Sequence, residues 1–268
     1  MSVTPSPPPC RVPAGSTTDF PYGPMADSGY GNPVFYHAFC DDFDNSLGAT
    51  GLWTVSAGGA GTVANAAGDG GLALFTTAGA TNNFESIQTP SAGFTLPQGA
   101  LAGKKAFFLT RLQLSDITNS AFIAGLISIN ATPFTSIADG VYFQKSSGGT
   151  VLNIISAIAS TLTTTAIPVA FYNTFFANAV NIDLGWYIDR NGYLNAFVGQ
   201  QLVGYLPQSG SGAVNSAGVS VSPTVGRCVQ VTGLSLSTAN LAPTLGVQTG
   251  QASSKTMTVD FVVAQKER

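Results

Sequence analysis

The chain is short of the groups that acid–base chemistry needs. Only 9% of its 268 residues are charged, there is one histidine, His37, and the only glutamates are Glu85 and Glu267. Between Ser146 and Ile182 there is no acid or base at all, and Tyr172 is the sole phenol. General acid–base catalysis requires positioned titratable groups with tuned proton affinities. A chain so poor in them is expected not to be an enzyme, to carry no cofactor, and to present a neutral surface suited to being covered.

Other absences narrow the class further. The net charge of −3 and the lack of basic clusters beyond Lys104–Lys105 leave no electrostatic footprint for nucleic acid. The start, MSVTPSPPPCRVP, lacks the basic and apolar regions of a secretory signal, so none is expected there. No run of eighteen apolar residues occurs. The best candidate, Val151 to Tyr172, is broken by Asn153, Ser156, Ser160 and a threonine run, and its β-branched content favours strands over a membrane helix. The three cysteines, Cys10, Cys40 and Cys228, are odd in number and widely spaced. They fit neither a disulfide framework nor a zinc site and are expected to be free thiols in a protein made in the cytosol.

What is present is proline, glycine and alternation. Residues 1–38 hold Pro5, Pro7, Pro8, Pro9, Pro13, Pro21, Pro24 and Pro33, interleaved with Phe20, Tyr22, Tyr30, Phe35 and Tyr36. Proline runs favour extended chain and cannot join a central sheet, whereas a solvated tail is poor in aromatics. Residues 1–38 therefore read as an extended arm whose rings Phe20, Tyr22, Tyr30, Phe35 and Tyr36 contact neighbouring subunits. Residues 39–268 read as strand, turn, strand. The expected strands are 71–76, 84–89, 106–114, 121–129, 141–143, 180–189, 193–198, 201–206 and 256–263. No segment keeps a helical period over three turns. In 180–189 the residues Val180, Ile182, Leu184, Trp186 and Ile188 share one face. Asn191–Gly192 and Gly199–Gln200 are taken as two-residue hairpin turns, which would place Trp186 opposite Phe197 and Phe197 opposite Leu202. In 256–263, Met257, Val259, Phe261 and Val263 are expected inside. Residues 208–222 read as a long loop.

Candidate sites are few. Asp41, Asp42 and Asp44 could supply oxygens to Ca²⁺, but a helix–loop–helix calcium site would need a glycine and a distal glutamate that are missing, and capping carboxylates are the expected role. No metal is expected there. His37 sits among aromatics and is expected to pack rather than react. No pairing of carboxylates suited to glycoside hydrolysis is seen, nor a G-x-S-x-G.

The order of segments resembles the concanavalin A-like, laminin-G-like jelly rolls of tailed-bacteriophage virion proteins. The matching pieces are DDFDN (41–45), Trp53 before GGAGT (58–62), GLALFTT (71–77), KKAFFLTRLQLSD (104–116) and FIAGL (122–126). DGVYFQK (139–145), IDLGWYIDRNGYLNAFV (182–198), LAPTLGVQTG (241–250) and KTMTVDFVVAQKER (255–268) follow. The resemblance covers roughly residues 39–268. It implies an all-β, two-sheet antiparallel sandwich with the proline-rich arm added. It further implies a capsid decoration (cement) protein on the virion surface, a trimer bound to the major capsid protein, made in the host cytoplasm and without membrane or nucleic-acid partners. The alternative it implies is a carbohydrate-binding, lectin-like module of a phage tail or fibre, with Tyr142, Tyr187, Tyr193 and Tyr205 available as platforms for a glycan.

Overall fold

A computed structural model of the chain describes residues 36–44, 47, 51–68, 70–97, 103–169, 172–173, 176–188, 192–199 and 235–268, and the backbone of 213–214, 220–221 and 228–231. Among them there are seventeen strands and no α-helix. They are β1 (Tyr36–Asp41), β2 (Thr54–Ala57), β3 (Thr62–Ala66), β4 (Leu72–Thr76), β5 (Phe84–Gln88), β6 (Ala106–Leu114), β7 (Ser120–Ile127), β8 (Gly140–Lys145) and β9 (Leu152–Ile158). They continue with β10 (Thr161–Ala166), β11 (Asn181–Ile188), β12 (Leu194–Gly199), β13 (Ala213–Val214), β14 (Ser220–Val221), β15 (Cys228–Val231), β16 (Ala242–Thr249) and β17 (Thr256–Glu267).

The strands form two antiparallel sheets. The ten-stranded sheet runs β13-β14-β15-β12-β11-β6-β17-β4-β3, with β1 also on β17. Strand β17 pairs with β6 along one side and with β4, then β1, along the other. The seven-stranded sheet runs β10-β9-β8-β7-β16-β5-β2. Side chains alternate across each strand, and the inward sets of both sheets meet in one core that includes Phe75, Phe108, Leu112, Phe122, Phe143, Trp186 and Leu245. The fold is the two-sheet sandwich expected from the alternation.

Both sheets also bury part of their outer faces. Tyr36, Phe107, Leu109, Tyr187, Phe197, Phe261 and Val263 form a second cluster on the ten-stranded sheet. Ile123, Ile127, Tyr142, Ile155 and Ala157 form a third on the seven-stranded sheet, closed by Ile137 with Phe134 packed against it. That lid explains why β7 is buried along its whole length and apolar on both faces.

Three details depart from the sequence expectation. Trp186 pairs with Ala196 and Phe108, and Phe197 pairs with Gly185 and Cys228. The connection from Ile188 to Leu194 is one residue out of step with a two-residue turn, so Trp186 points into the core and Phe197 to the outer face. The neighbour of β12 beyond β11 is β15. Residues 201–206 lie outside the described set. In β17 the register shifts between Val259 and Phe261. The extra residue, Asp260, reverses the parity, so Phe261 and Val263 face outward while Val262 and Ala264 face the core. Finally, Cys40 is disulfide-bonded, which corrects the expectation of three free thiols. Of the arm, only Tyr36 to Ala38 are described, and the expected loop 208–222 contributes the short strands β13 and β14 to the sheet edge.

Candidate functional site

Of the three aspartates near the start, Asp41 is taken up by the structure, Asp42 is buried and Asp44 is exposed. Asp41 closes β1: its Oδ1 accepts from the Phe43 amide at 2.9 Å and its Oδ2 from the Trp53 indole. Phe43 adopts φ 59°, and Asn65 holds this turn by donating to the Phe43 carbonyl at 2.7 Å while accepting from the Leu47 amide at 2.7 Å. Burial raises the proton affinity of Asp41, and the Trp53 and Phe43 hydrogen bonds offset part of that rise. Among the described residues no group of three or more His, Cys, Asp or Glu is placed to hold a metal ion. Treatment with EDTA is therefore expected to leave the melting temperature unchanged. A drop that Ca²⁺ restores would return the aspartates to the list of ligands.

Other ionisable groups are likewise engaged. Lys145, fully buried, donates to the carbonyls of Ser120 at 2.7 Å and Ser146 at 2.9 Å, and burial pulls its ammonium down to about 8. Lys255 pairs with Asp116 at 2.7 Å, which with the Asn119 hydrogen bonds holds that carboxyl well below the usual range. On the outer face of the ten-stranded sheet, Arg111 binds the buried Asp183 at 2.6 Å and lies 5.5 Å from the Phe261 ring centre. His37 packs against Phe94, ring centres 4.8 Å apart and tilted by 57°, in a shallow pocket with Lys266, Glu267 and Arg268, and burial and the two cations keep its imidazole neutral more readily than usual.

The remaining constellation lies at one end of the seven-stranded sheet, opposite Lys145. It is built from the β7–β8 connection (128–139), the β9–β10 turn and the stretch 235–239. Asp139 Oδ1 accepts from the Ser237 hydroxyl at 2.6 Å and the Ala159 amide at 3.2 Å. The Ser128 amide donates to the Asp139 carbonyl and the Ser160 amide to the Ala138 carbonyl, both at 2.8 Å. Ala159 and Ser160 form a two-residue turn between Ile158 and Thr161, with φ of 46° and 67°. Such angles are costly outside glycine, asparagine and aspartate and persist where surroundings over-determine them. Here Asp139 and Ala138 supply that restraint.

Asp139 is half-exposed, and its Oδ2 takes no hydrogen bond from the described residues. Beside it the 128–139 connection is pinned by Gln88, which accepts from the Asn130 amide at 2.8 Å and donates to the Ser128 carbonyl at 3.2 Å. The same connection carries a half-buried Phe134, 5.8 Å from Phe84. A fixed acceptor oxygen with loop amides and hydroxyls around it can bind a polyhydroxylated, uncharged ligand. No proton transfer is implied.

Two of the four platform tyrosines expected from sequence are withdrawn. Tyr142 and Tyr187 are buried, and burial pushes the Tyr142 hydroxyl up to about 12. Tyr193 is exposed, and Tyr205 lies outside the described residues. Of the arm aromatics, Phe20, Tyr22, Tyr30 and Phe35 lie outside the described residues, and Tyr36 is buried in its own chain. Asp139 is not among the candidate site residues read from the sequence. The carboxylate's partners, Ser237 and Ala159, are distant in sequence and gave no hint.

No family model matches the chain, and a search of curated proteins finds no match. Solved structures do resemble it. The CBM2 module of the evolved Dit of Lactobacillus casei BL23 phage J-1 is 10% identical, with a TM-score of 0.53 over 87% of this chain and 96% of that one. Lectin II from Ulex europaeus is 9% identical, with a TM-score of 0.51 over 87% of this chain and 99% of that one. An endo-β-1,4-glucuronan lyase from the fungus Trichoderma reesei is 12% identical, with a TM-score of 0.50 over 84% and 94%. The fold is that of the lectin-like jelly rolls. The one lyase among these neighbours says nothing of catalysis here, since at such identities only the fold is shared.

Proposed function

We propose that the chain is a non-catalytic, lectin-like glycan-binding module carried on a bacteriophage particle. The observation that carries this reading is Asp139, a half-exposed carboxylate fixed through one oxygen by Ser237 and Ala159, with the other left open in a neutral loop cluster. Neutral sugars are bound through oriented acceptors of this kind. The likeness to a phage CBM2 module and to a plant lectin supports it. Head decoration, a trimer and the major capsid protein as partner rest on the sequence resemblance alone. Glycan binding needs none of them and leaves the buried Tyr36 in its own subunit.

The test is binding of the purified chain to an array of neutral and acidic oligosaccharides and to isolated bacterial envelopes. Binding to a defined glycan is expected. Asp139→Ala should weaken it by about tenfold to a hundredfold, the worth of a hydrogen bond to a charged acceptor. Asp139→Asn, which keeps the shape and one acceptor oxygen, should fall between. Failure to bind any glycan, with hundreds of copies found on the virion head, would restore the decoration reading. Glycan turnover would establish an enzyme instead.

A further inference from the structure

We infer that the outer face of the ten-stranded sheet is the seat of the chain's own N-terminal segment, residues 1–35, fastened there by a Cys10–Cys40 disulfide. The first observation is a row of laterally paired residues. Cys40 pairs with Val263, Val263 with Leu109, Leu109 with Gly185, Gly185 with Phe197 and Phe197 with Cys228. Cys40 and Cys228 thus stand at the two ends of one row, five strand steps apart. At about 4.8 Å per step this is roughly 24 Å. A disulfide requires α-carbons within about 7 Å. Cys40 is nonetheless disulfide-bonded, and the chain has no other cysteine but Cys10. Within one chain the partner is therefore Cys10.

The second observation is what lies between the ends of the row. Val263, Leu109 and Phe197 are buried, and so are Tyr36, Phe107, Tyr187 and Phe261 around them. An outward apolar face of this size is covered in a stable fold, because exposing it to water costs free energy in proportion to its area. The occupant is argued from where the chain runs. Residue 35 leads directly into Tyr36, which is itself a member of the cluster. The segment is rich in aromatics and prolines and holds only Arg11, Asp19 and Asp27 as charges. Proline excludes it from the sheet ladder but not from lying across a face. Closing the staple removes two protons and two electrons from the Cys10 and Cys40 thiols, which a disulfide-donating oxidant such as oxidised glutathione accepts by thiol–disulfide exchange.

Trypsin tests the staple, since the three cysteines fall in three separate tryptic peptides, 1–11, 12–104 and 228–255. After denaturation and alkylation without reductant, peptide 1–11 is expected linked to 12–104, with Cys228 alkylated. A 12–104 to 228–255 link, or an alkylated Cys40, overturns the pairing. A linked product that migrates as a dimer on a non-reducing gel assigns the arm to another copy and overturns it as well. The docking itself is read by placing a photoreactive benzophenone side chain at position 187 of the full chain. Cross-links to residues 1–35 of the same chain are expected; capture of any other segment overturns the proposal.

Discussion

Replacing Trp186 with alanine should cost the fold about 3–5 kcal/mol, the range for deleting a large buried aromatic and leaving its cavity. Trp186 is fully buried in the core, stacked on Phe108 at 6.0 Å with an interplanar angle of 20°. Its neighbours come from strands fixed on both sides, β6 and β12, so the site cannot collapse easily. The indole Nε1 has no hydrogen-bond partner. An unpaired buried donor carries a desolvation cost of its own, so Trp186→Phe should cost clearly less than its lost volume suggests. Urea denaturation of the two variants reads both effects. A Trp186→Ala loss under about 1 kcal/mol would mean that the ring does not fill the core as described.

The second large effect is pH-dependent and belongs to Glu85. This side chain is fully buried, between the β2–β3 connection and β5, and neither carboxylate oxygen has a hydrogen-bond partner of good geometry. Burial pushes its proton affinity up to about 7, and the adjacent Gly61 amide offsets only part of the rise. A raised folded-state value means that the protonated form suits the fold. This contribution is complete below the unfolded value near 4.5 and is lost as pH rises through about 7. The loss above pH 8 amounts to at most roughly 3 kcal/mol, from 1.36 kcal/mol per unit. Glu85→Gln should therefore stabilise the protein at pH 8.5 by a large part of that amount and change little at pH 4. Thermal melts of both proteins across that range check it; equal differences at both ends would show that the carboxyl is solvated. Gly61 is tied to the same spot, since a Cβ there would collide with Glu85 Oε1 and the Thr76 carbonyl.

The sandwich was legible because its strands follow a strict period of two. The core face of β11 can be read directly from Ile182, Leu184, Trp186 and Ile188. What broke the reading was each place where one residue was added. The bulge at Asp260 reversed Phe261 and Val263, and the odd connection before Leu194 moved Phe197 to the outer face. Neither leaves a mark in local composition. The turn at Ala159–Ser160 was invisible for a related reason. It lacks the glycine or asparagine that marks such turns, because Asp139 and Ala138, brought in by the fold, hold it in place of local preference. Asp139 itself drew no notice for the same cause. The disulfide at Cys40 was hidden because three cysteines so far apart in sequence carry no spacing that marks a pair.

The central place of β17 sets the order in which the molecule can be made. As the chain leaves the ribosome, β1, β4 and β6 emerge long before the strand that joins them, and Tyr36 must wait for Glu267. Until then the backbone edges they turn to β17 stay unpaired. Folding is therefore a late, long-range event, slow by the general dependence of rate on sequence separation. The nascent chain stands exposed to misassembly and to chaperone capture until β17 has been made.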